Sequence, residues 1–350
     1  MQASLLTLLK CPVTRTDLTI RVLKTTDKLF DGKAMPVIEE AILYAAEDWF
    51  YPVIKGVPRL NVEAFLDHET FLQTSGIDYV KMKEQLLEKY GALISQVVKK
   101  NKRTKASFTK EWSVYNYDED KTWDADSEGM LNRFLAETNE TMDSIRNKLV
   151  FDAGCGNGKL DALIAAGGTT VIGMDFANCI EDAYLRNQYP NAHFIQGDVQ
   201  FPPVAFDHFD IVHCSGVLIH TNNAELSFSC LEPTVKPSGK LSVWLYHPRK
   251  DLIHNTFNFI RRYTSKLPLG FQYYLYAVTI FPVSYCIKKI KGTKQNRREM
   301  MVDILDWFTP EFRSEHEHTE AAAWFHKRGY KKVSVTTVNT FGFNIVGEKQ

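Results

Sequence analysis

The stretch "VFDAGCGNGKLDAL", Val150 to Leu163, decides the fold of this chain. An apolar run ends near Asp152, and glycines then stand at every second position, at Gly154, Gly156 and Gly158, before a helical pattern begins. A glycine-rich turn between a strand and a helix lets a ligand lie against the backbone. The stretch therefore predicts a strand–turn–helix unit that holds a nucleotide.

The spacing of this turn differs from that of two common phosphate-binding loops. A loop of the type G-x-x-x-x-G-K-[ST] needs a hydroxyl after its lysine, but Leu160 follows Lys159, and Ala153 replaces the first glycine. The dinucleotide turn G-x-G-x-x-G has a glycine where Lys159 stands. The turn is therefore suited to a phosphate-free adenosine that carries an amino acid, which is S-adenosylmethionine (SAM).

Segments typical of strands and of helices alternate from the glycine turn onward. The strand-like segments are "KLVFDAG", "TVIGMD", "AHFIQGD", "FDIVHCSG" and "GKLSVWLYH". This alternation predicts an α/β protein with a doubly wound parallel sheet that is buried on both faces. The last two strand-like segments, "KKVSVTTV" and "FGFNIVG", have a short connection, so we expect them to form an antiparallel pair.

Carboxylates end the predicted strands on the side where doubly wound sheets bind their ligands. Asp152 is a candidate for the amino group of the ligand, and Asp175, 21 residues after Gly154, is a candidate for the ribose hydroxyls. Asp198 is a candidate for the exocyclic amine of adenine, and Val199 for packing against the adenine ring. Together these residues predict a SAM site at the carboxyl ends of the strands.

The block from about 145 to 246 resembles the class I SAM-dependent methyltransferases. The matching stretches are "LVFDAGCGNG", "VIGMDFA", "FIQGDVQ", "FDIVHCSGVLIHT" and "VKPSGKLSVWLY", and the terminal "WFHKRGYKKVSV…FGFNIVGEK" is similar to the last helix and two strands of that fold. The resemblance implies a seven-stranded, mostly parallel sheet in the order 3-2-1-4-5-7-6, with strand 7 antiparallel. It implies SAM as the cofactor and S-adenosylhomocysteine as its product, and no metal is predicted. The candidate cofactor-binding residues are Asp152, Gly154, Cys155, Gly156, Gly158, Asp175, Phe176, Asp198, Val199 and Ser215.

Three residues after the fourth and fifth strands are candidates for the catalytic step. His220 stands in "GVLIHTNN", and Tyr246 and His247 end the fifth strand. A hydroxyl acceptor needs a base that removes its proton, and we expect these side chains to face one crevice. Trp112 and its aromatic neighbours, ahead of the first strand, are expected to cover the cofactor.

The sequence as a whole predicts three parts along the chain. Residues 1–62 form a small β-rich domain, and residues 63–106 form a helical connector. Residues 107–350 form the methyltransferase-like domain, with a helical insertion at about 249–310. The basic run "KKNKRTK" before that domain is interpreted as a hinge or linker, with a contact to a phosphate backbone as the alternative.

The N-terminal stretch "LLTLLKCPVTRTDLTI…FYPVIKGVPRL" resembles a small zinc-ribbon family that activates RNA and translation-factor methyltransferases. Of the four cysteines of that family only Cys11 remains, and Thr14, Tyr44 and Glu47 stand at about the other three places. One thiolate cannot form a four-coordinate zinc site, so we expect a ribbon without metal.

The composition bears on the partners of the protein, on its location in the cell and on contact with a membrane. Lys and Arg number 42 and so do Asp and Glu, so no global charge favours a nucleic-acid partner. Six dispersed cysteines are typical of a reducing cytoplasm, and we expect no signal peptide. The uncharged segment 267–287 predicts a buried helical insertion. A peripheral membrane contact through 267–291 and a membrane-spanning helix are the alternatives.

The sequence therefore predicts a cytoplasmic SAM-dependent methyltransferase, with membrane association as an alternative location. The favoured acceptor is a small molecule, such as a natural-product, glycan or lipid intermediate. An RNA or protein methyltransferase is one alternative, and a SAM-binding regulatory subunit without activity is another. No pattern indicates an oligomeric state.

Overall fold

Two β-sheets and their covering helices make up the computed structural model, which describes residues 1–121 and 125–350, with the backbone alone at 253. The strands are β1 (Thr19–Phe30), β2 (Lys33–Tyr44), β3 (Phe50–Ile54), β4 (Val57–Pro58), β5 (Leu149–Ala153), β6 (Thr170–Asp175), β7 (Ala192–Gln196), β8 (Phe209–Ser215), β9 (Val235–Tyr246), β10 (Lys331–Val338) and β11 (Gly342–Glu348). The helices are α1 (Ala64–Asp67), α2 (Glu69–Thr74), α3 (Tyr79–Val114), α4 (Ser127–Thr138), α5 (Met142–Ile145), α6 (Lys159–Ala166), α7 (Ile180–Arg186), α8 (Ala224–Leu231), α9 (Leu252–Thr264), α10 (Leu269–Val278), α11 (Ile280–Ile290), α12 (Arg297–Phe308) and α13 (His318–His326).

The larger sheet contains seven strands in the order β10-β11-β9-β8-β5-β6-β7. If β5 to β11 are numbered 1 to 7 in chain order, the order of the strands from the β7 edge is 3-2-1-4-5-7-6. The pairs among β5, β6, β7, β8 and β9 are parallel, whereas β11 is antiparallel to both β9 and β10. The predicted α/β class, the strand order and the antiparallel seventh strand are confirmed.

Helices cover both faces of this sheet. Val150 of β5 packs in a cluster with Phe134 of α4 and Ile164 of α6. The next residue, Phe151, points to the other face, into a cluster that contains Phe228 of α8. Because successive side chains of a strand point to opposite faces and both faces are buried, β5 has an almost continuous apolar sequence.

The first four strands form a separate antiparallel sheet, so the small N-terminal β-rich domain is present. This domain lies against the edge strand β7, where the N–H of Leu60 donates to the carbonyl oxygen of Gln196 at 2.8 Å. The fully buried Arg59 side chain lies 2.5 Å from Glu181 Oε1. The N-terminal domain thereby covers an edge that would otherwise leave backbone groups unpaired.

Cys11 is a free cysteine that is buried in the N-terminal domain. Its Sγ lies 3.3 Å from the hydroxyl of Tyr51 and accepts a hydrogen bond from the N–H of Thr14. The described residues contain no group of three or more His, Cys, Asp or Glu side chains placed to hold a metal ion.

The segment between β4 and β5 contains the helices α1 to α5, of which α3, with 36 residues, is the longest. The basic run "KKNKRTK" lies inside α3, so it is part of a continuous helix and does not form a hinge. Lys100 Nζ lies 3.1 Å from Asp198 Oδ2, and Lys105 pairs with Asp67. These cations therefore attach the helix to its surroundings. The boundary expected after residue 106 also lies inside α3, so the connector and the following domain share one helix.

The helices α9 to α12 form the predicted helical insertion between β9 and α13. The uncharged segment 267–287 is divided between α10 and α11, which meet at Thr279. Within the described ranges, no helix has both the length and the apolar character needed to cross a membrane.

Candidate functional site

A cavity of about 1370 Å³ lies at the carboxyl ends of the parallel strands. The turns after β5, β6, β7 and β8 line one end, and helices of the insertion line the other. The helix α3 closes one side with Asn101, Thr104, Phe108 and Glu111. These residues are spaced three or four positions apart, so they share one face of the helix.

Most of the predicted cofactor-binding residues line this cavity. They are Gly154, Gly156, Asp175, Phe176, Asp198, Val199 and Ser215. The Asp175 carboxylate accepts hydrogen bonds from the N–H groups of Gly156 and Ala177, at 2.8 and 2.7 Å. Burial raises the pKa of Asp175, while these two donors oppose the rise. Because an ionised carboxylate has about four acceptor positions, Asp175 retains capacity to bind a ligand.

Asp152 does not line the cavity, where the sequence reasoning expects it. Its Oδ1 lies 2.9 Å from Nδ1 of His213, and Nε2 of His213 lies 2.8 Å from Glu137 Oε2. Burial lowers the pKa of His213, but the two carboxylates outweigh it and raise the pKa to about 10. His213 is therefore an imidazolium that donates to both acids. Glu137 is the carboxylate of this cluster that reaches the cavity.

Cys155 and Gly158 also lie outside the cavity lining. Gly158 has a φ of +69°, and a Cβ there would approach the Phe194 ring to 2.5 Å, so this glycine serves the packing of the turn. Burial raises the pKa of the Cys155 thiol well above its ordinary value. Gly156, in contrast, lies on the cavity side of the turn, and a Cβ there would lie 2.5 Å from the Trp112 ring. Trp112 therefore packs directly on the glycine turn and lines the cavity with it.

His220 is buried and lines the cavity. Its Nδ1 lies 3.1 Å from the carbonyl oxygen of Phe312, so we assign the proton to Nδ1. Nε2 lies 3.6 Å from Asp306 Oδ1 and has no hydrogen-bond partner in the part of the chain that the structure describes. Burial lowers the pKa of His220 to about 3. The imidazole is therefore neutral at physiological pH and has an unshared lone pair on Nε2.

The other two catalytic candidates occupy different environments. Tyr246 lines the cavity, and its hydroxyl donates to Asp306 Oδ2 at 3.1 Å. Burial raises the pKa of Tyr246 well above its ordinary value, so this hydroxyl stays protonated. His247 does not line the cavity, and its Nε2 lies 3.2 Å from the carbonyl oxygen of Thr340. The structure thus brings His220 and Tyr246 together around one carboxylate and leaves His247 apart.

The cavity wall contains acids that the sequence does not single out, and two of them, Asp306 and Glu111, have strongly shifted pKa values. Asp306 belongs to α12 and contacts two of the three catalytic candidates, His220 and Tyr246, and burial raises the pKa of its carboxyl to about 6. Glu111 belongs to α3, and burial raises the pKa of its carboxyl well above the ordinary value. Its Oε2 is buried without a hydrogen-bond partner among the described residues. The only signal in the sequence is the spacing of Glu111 with the other cavity residues of α3.

Comparison with known proteins identifies a domain around the glycine turn. Residues 150–239 match the model of a family described as a methyltransferase domain. A ubiquinone biosynthesis O-methyltransferase of Coxiella burnetii (strain RSA 493 / Nine Mile phase I) is 28% identical over 115 residues, which are 32% of this chain and 49% of that protein. The chain thus spans about half the length of the curated relatives it matches.

Solved structures show a looser likeness. The magnesium protoporphyrin IX methyltransferase of Synechocystis PCC 6803, solved with bound S-adenosylhomocysteine, is 17% identical with a TM-score of 0.43. The match covers 71% of this chain and 98% of that protein. A SAM-dependent methyltransferase of Aquifex aeolicus is 13% identical with a TM-score of 0.40, and the match covers 65% of this chain and 95% of that protein. The strand order, and not this likeness, establishes the fold.

Proposed function

We propose that this chain, whose residues 150–239 form a methyltransferase domain, transfers a methyl group from SAM to a small-molecule acceptor. One observation carries the proposal. A single cavity joins the glycine turn and Asp175 to the neutral His220, whose Nε2 is unpaired among the described residues. A cofactor-binding end and a proton-accepting end in one cavity are what a two-substrate transfer needs.

The residues at the first end fit SAM. When bound, SAM supplies a methyl group on a positively charged sulfur. Asp175 has free acceptor capacity for the ribose hydroxyls. Asp198, which Lys100 and Asn101 hold at 3.1 Å, lies in the cavity wall for the adenine amine. Glu137, and not Asp152, is the carboxylate that reaches the cavity for the amino group.

The residues at the second end fit an acceptor that loses a proton, such as a hydroxyl. His220 Nε2 accepts this proton. Since a pKa of about 3 makes a weak base, the imidazolium needs stabilisation once it has formed. Asp306, 3.6 Å from Nε2, supplies the negative charge, and the Tyr246 hydroxyl holds its other oxygen. An oxygen acceptor also agrees with the name of the curated relative, an O-methyltransferase.

Three of the five cations in the basic run of α3 bind groups of the same chain, whereas Lys99 and Lys102 are exposed. Lys100 is paired with Asp198, Lys105 is paired with Asp67, and Arg103 donates to the carbonyl oxygen of Leu267 at 2.7 Å. Cations that bind groups of the same chain are not available to phosphates. We therefore favour the small-molecule acceptor over a nucleic acid.

Replacing Asp175 by alanine is expected to weaken SAM binding by about 100-fold. The carboxylate would bind two ribose hydroxyls, and hydrogen bonds to a charged group contribute about 1.5 kcal/mol each. Isothermal titration of the purified chain with SAM measures the change. Asp207→Ala, an exposed acid that pairs with Lys349, is the matched control and should bind like the wild type.

Two outcomes of this titration would contradict the proposal. Absence of binding by the wild-type chain would exclude SAM as the methyl donor. A larger loss of affinity in His220→Ala than in Asp175→Ala would reverse the assigned roles. The variant Asp175→Asn, which keeps the size of the side chain, separates loss of charge from collapse of the turn that Asp175 holds.

The rate of methyl transfer is expected to fall as the pH drops below about 6. Burial raises the pKa of Asp306 to about 6, so its carboxyl is ionised above this pH and neutral below it. A neutral Asp306 cannot stabilise the protonated His220. Initial rates with tritiated SAM and a hydroxylated acceptor selected from a panel of phenols should show this acid limb. In Asp306→Asn the rate should be low throughout and the limb absent, and an unchanged limb would exclude Asp306 as its source.

A further inference from the structure

We propose that the helical insertion binds the surface of an anionic lipid bilayer and that the cavity receives from it an acceptor with an apolar tail. The membrane contact stands by itself, while the origin of the acceptor rests on the proposed function. Three independent features of the insertion support the contact: its exposed apolar side chains, their position at the cavity mouth, and its charge.

The outer faces of the insertion helices carry large apolar side chains. On α11 these are Val283, Ile287 and Ile290, and Ile290 is 87% exposed. They are spaced four and three residues apart, so they share one face of the helix. None of the residues of α11 is buried. Further exposed apolar side chains on α9 and α10 are Leu252, Phe257, Phe259, Tyr263, Phe271, Tyr274 and Val278. Such a concentration on one part of a surface indicates a site of interaction.

This apolar surface is continuous with the mouth of the cavity. Phe257, Val283, Ile287, Val338 and Phe341 line the cavity, yet each is between 36% and 72% exposed. They come from α9, α11, the end of β10 and the connection between β10 and β11, so they surround the opening from several sides. An apolar tail would therefore meet apolar side chains from the outer surface inward.

The charge of the insertion matches an anionic surface. Residues 249–297 contain ten Lys or Arg side chains and a single acidic one, Asp251, although the whole chain has equal numbers of both. The exposed cations are Lys250, Arg262, Lys266, Lys289, Lys291, Lys294 and Arg297. Cations beside exposed aromatic and aliphatic side chains are typical of segments that lie in the headgroup region of a membrane.

The same charge argues against a second copy of the chain as the occupant of this surface. In a twofold symmetric dimer each patch faces an identical patch. Two strongly cationic insertions would then repel each other across the contact. Anionic headgroups above acyl chains satisfy both the cations and the apolar side chains.

Sedimentation with lipid vesicles tests the proposal. The full chain is expected to sediment with vesicles of phosphatidylcholine and phosphatidylglycerol, and far less with phosphatidylcholine alone. The double variant Val278→Glu and Ile290→Glu, whose sites lie outside the cavity lining, should reduce the bound fraction at least about tenfold. Leu29→Glu, a 65% exposed site on β1, is the matched control and should sediment like the wild type.

Several results would overturn the proposal: no sedimentation of the wild type with anionic vesicles, equal sedimentation of the double variant, or a dimer in light scattering that the double variant abolishes. Thermal unfolding establishes that each variant is folded. SAM titration separates this inference from the proposed function, because the double variant should bind SAM like the wild type. A chain that binds vesicles but not SAM would refute the proposed function and retain the membrane contact.

Discussion

Replacement of His220 by glutamine is expected to lower kcat by about two to four orders of magnitude, the usual contribution of a general base. In the proposed function Nε2 of His220 accepts the proton; His220 lines the cavity, and its Nε2 has no hydrogen-bond partner among the described residues. Glutamine fills similar space but cannot take up a proton at neutral pH. The affinity for SAM should change by less than about twofold, because the side chain of His220 contacts Phe312, Asp306 and Tyr246, at the end of the cavity that the proposed function assigns to the acceptor.

His247→Gln is the matched control for this prediction. His247 is also a histidine that follows a strand of the larger sheet, but it lies outside the cavity lining. Initial rates with tritiated SAM give kcat for the two variants, and calorimetry gives their affinity for SAM. Equal losses of kcat in both variants would show that His220 has no special role. A large loss of SAM affinity in His220→Gln would assign His220 to the donor site instead of the proton transfer.

The strands of the larger sheet could be predicted because their signals are local. Each strand of the parallel sheet is buried on both faces, so its sequence is a short apolar run. The turn with Gly154 and Gly156 marks the end of β5, the first of these strands. Resemblance to a known fold then supplied the order. Asp175 and Asp198 could be found in the same way, since position at the carboxyl end of a strand places a side chain at the ligand edge.

Asp152 shows where this local reasoning ends. A strand-end position does not tell which face of the sheet a side chain occupies or which neighbour it meets. In the structure Asp152 lies opposite His213 of the parallel strand β8. The Asp152 carboxylate therefore forms an ion pair with the His213 ring. Only the register between strands, which follows from the complete fold, places these two residues side by side.

Contributions from distant helices were missed for a related reason. Asp306 follows His220 by 86 residues, and nothing in its own neighbourhood places α12 above the strand ends. Charge runs are common in linkers, so the charge of the basic run does not by itself indicate that the run lies inside a long helix. Asn101 and Thr104 within the run, and Phe108 and Glu111 after it, have helical spacing, and this spacing is the better guide to the structure.

Replacement of His213 by glutamine is expected to lower the free energy of unfolding by about 3–5 kcal/mol, the usual cost of removing one partner from a buried ion pair. The variant would leave Asp152 and Glu137 buried without the cation between them. The dependence of the free energy of unfolding on pH shows whether the loss of the His213 imidazolium is the cause. The pKa of His213 is about 10 in the folded chain against an ordinary value of 6.5, so the folded state binds more protons between these values. The stabilisation is therefore complete below about pH 6.5 and is lost as the pH rises through about 10.

Urea denaturation at about pH 7 and about pH 9.5 measures both effects. The wild type should lose stability between these conditions, and His213→Gln should lack the part of this loss that His213 causes. His193→Gln is the matched control, because His193 is also buried but burial lowers its pKa to about 4, so it stays neutral in this range. This control should retain the wild-type slope with pH. A wild-type slope in His213→Gln, or a destabilisation below about 1 kcal/mol, would mean that His213 does not hold the two carboxylates as an imidazolium.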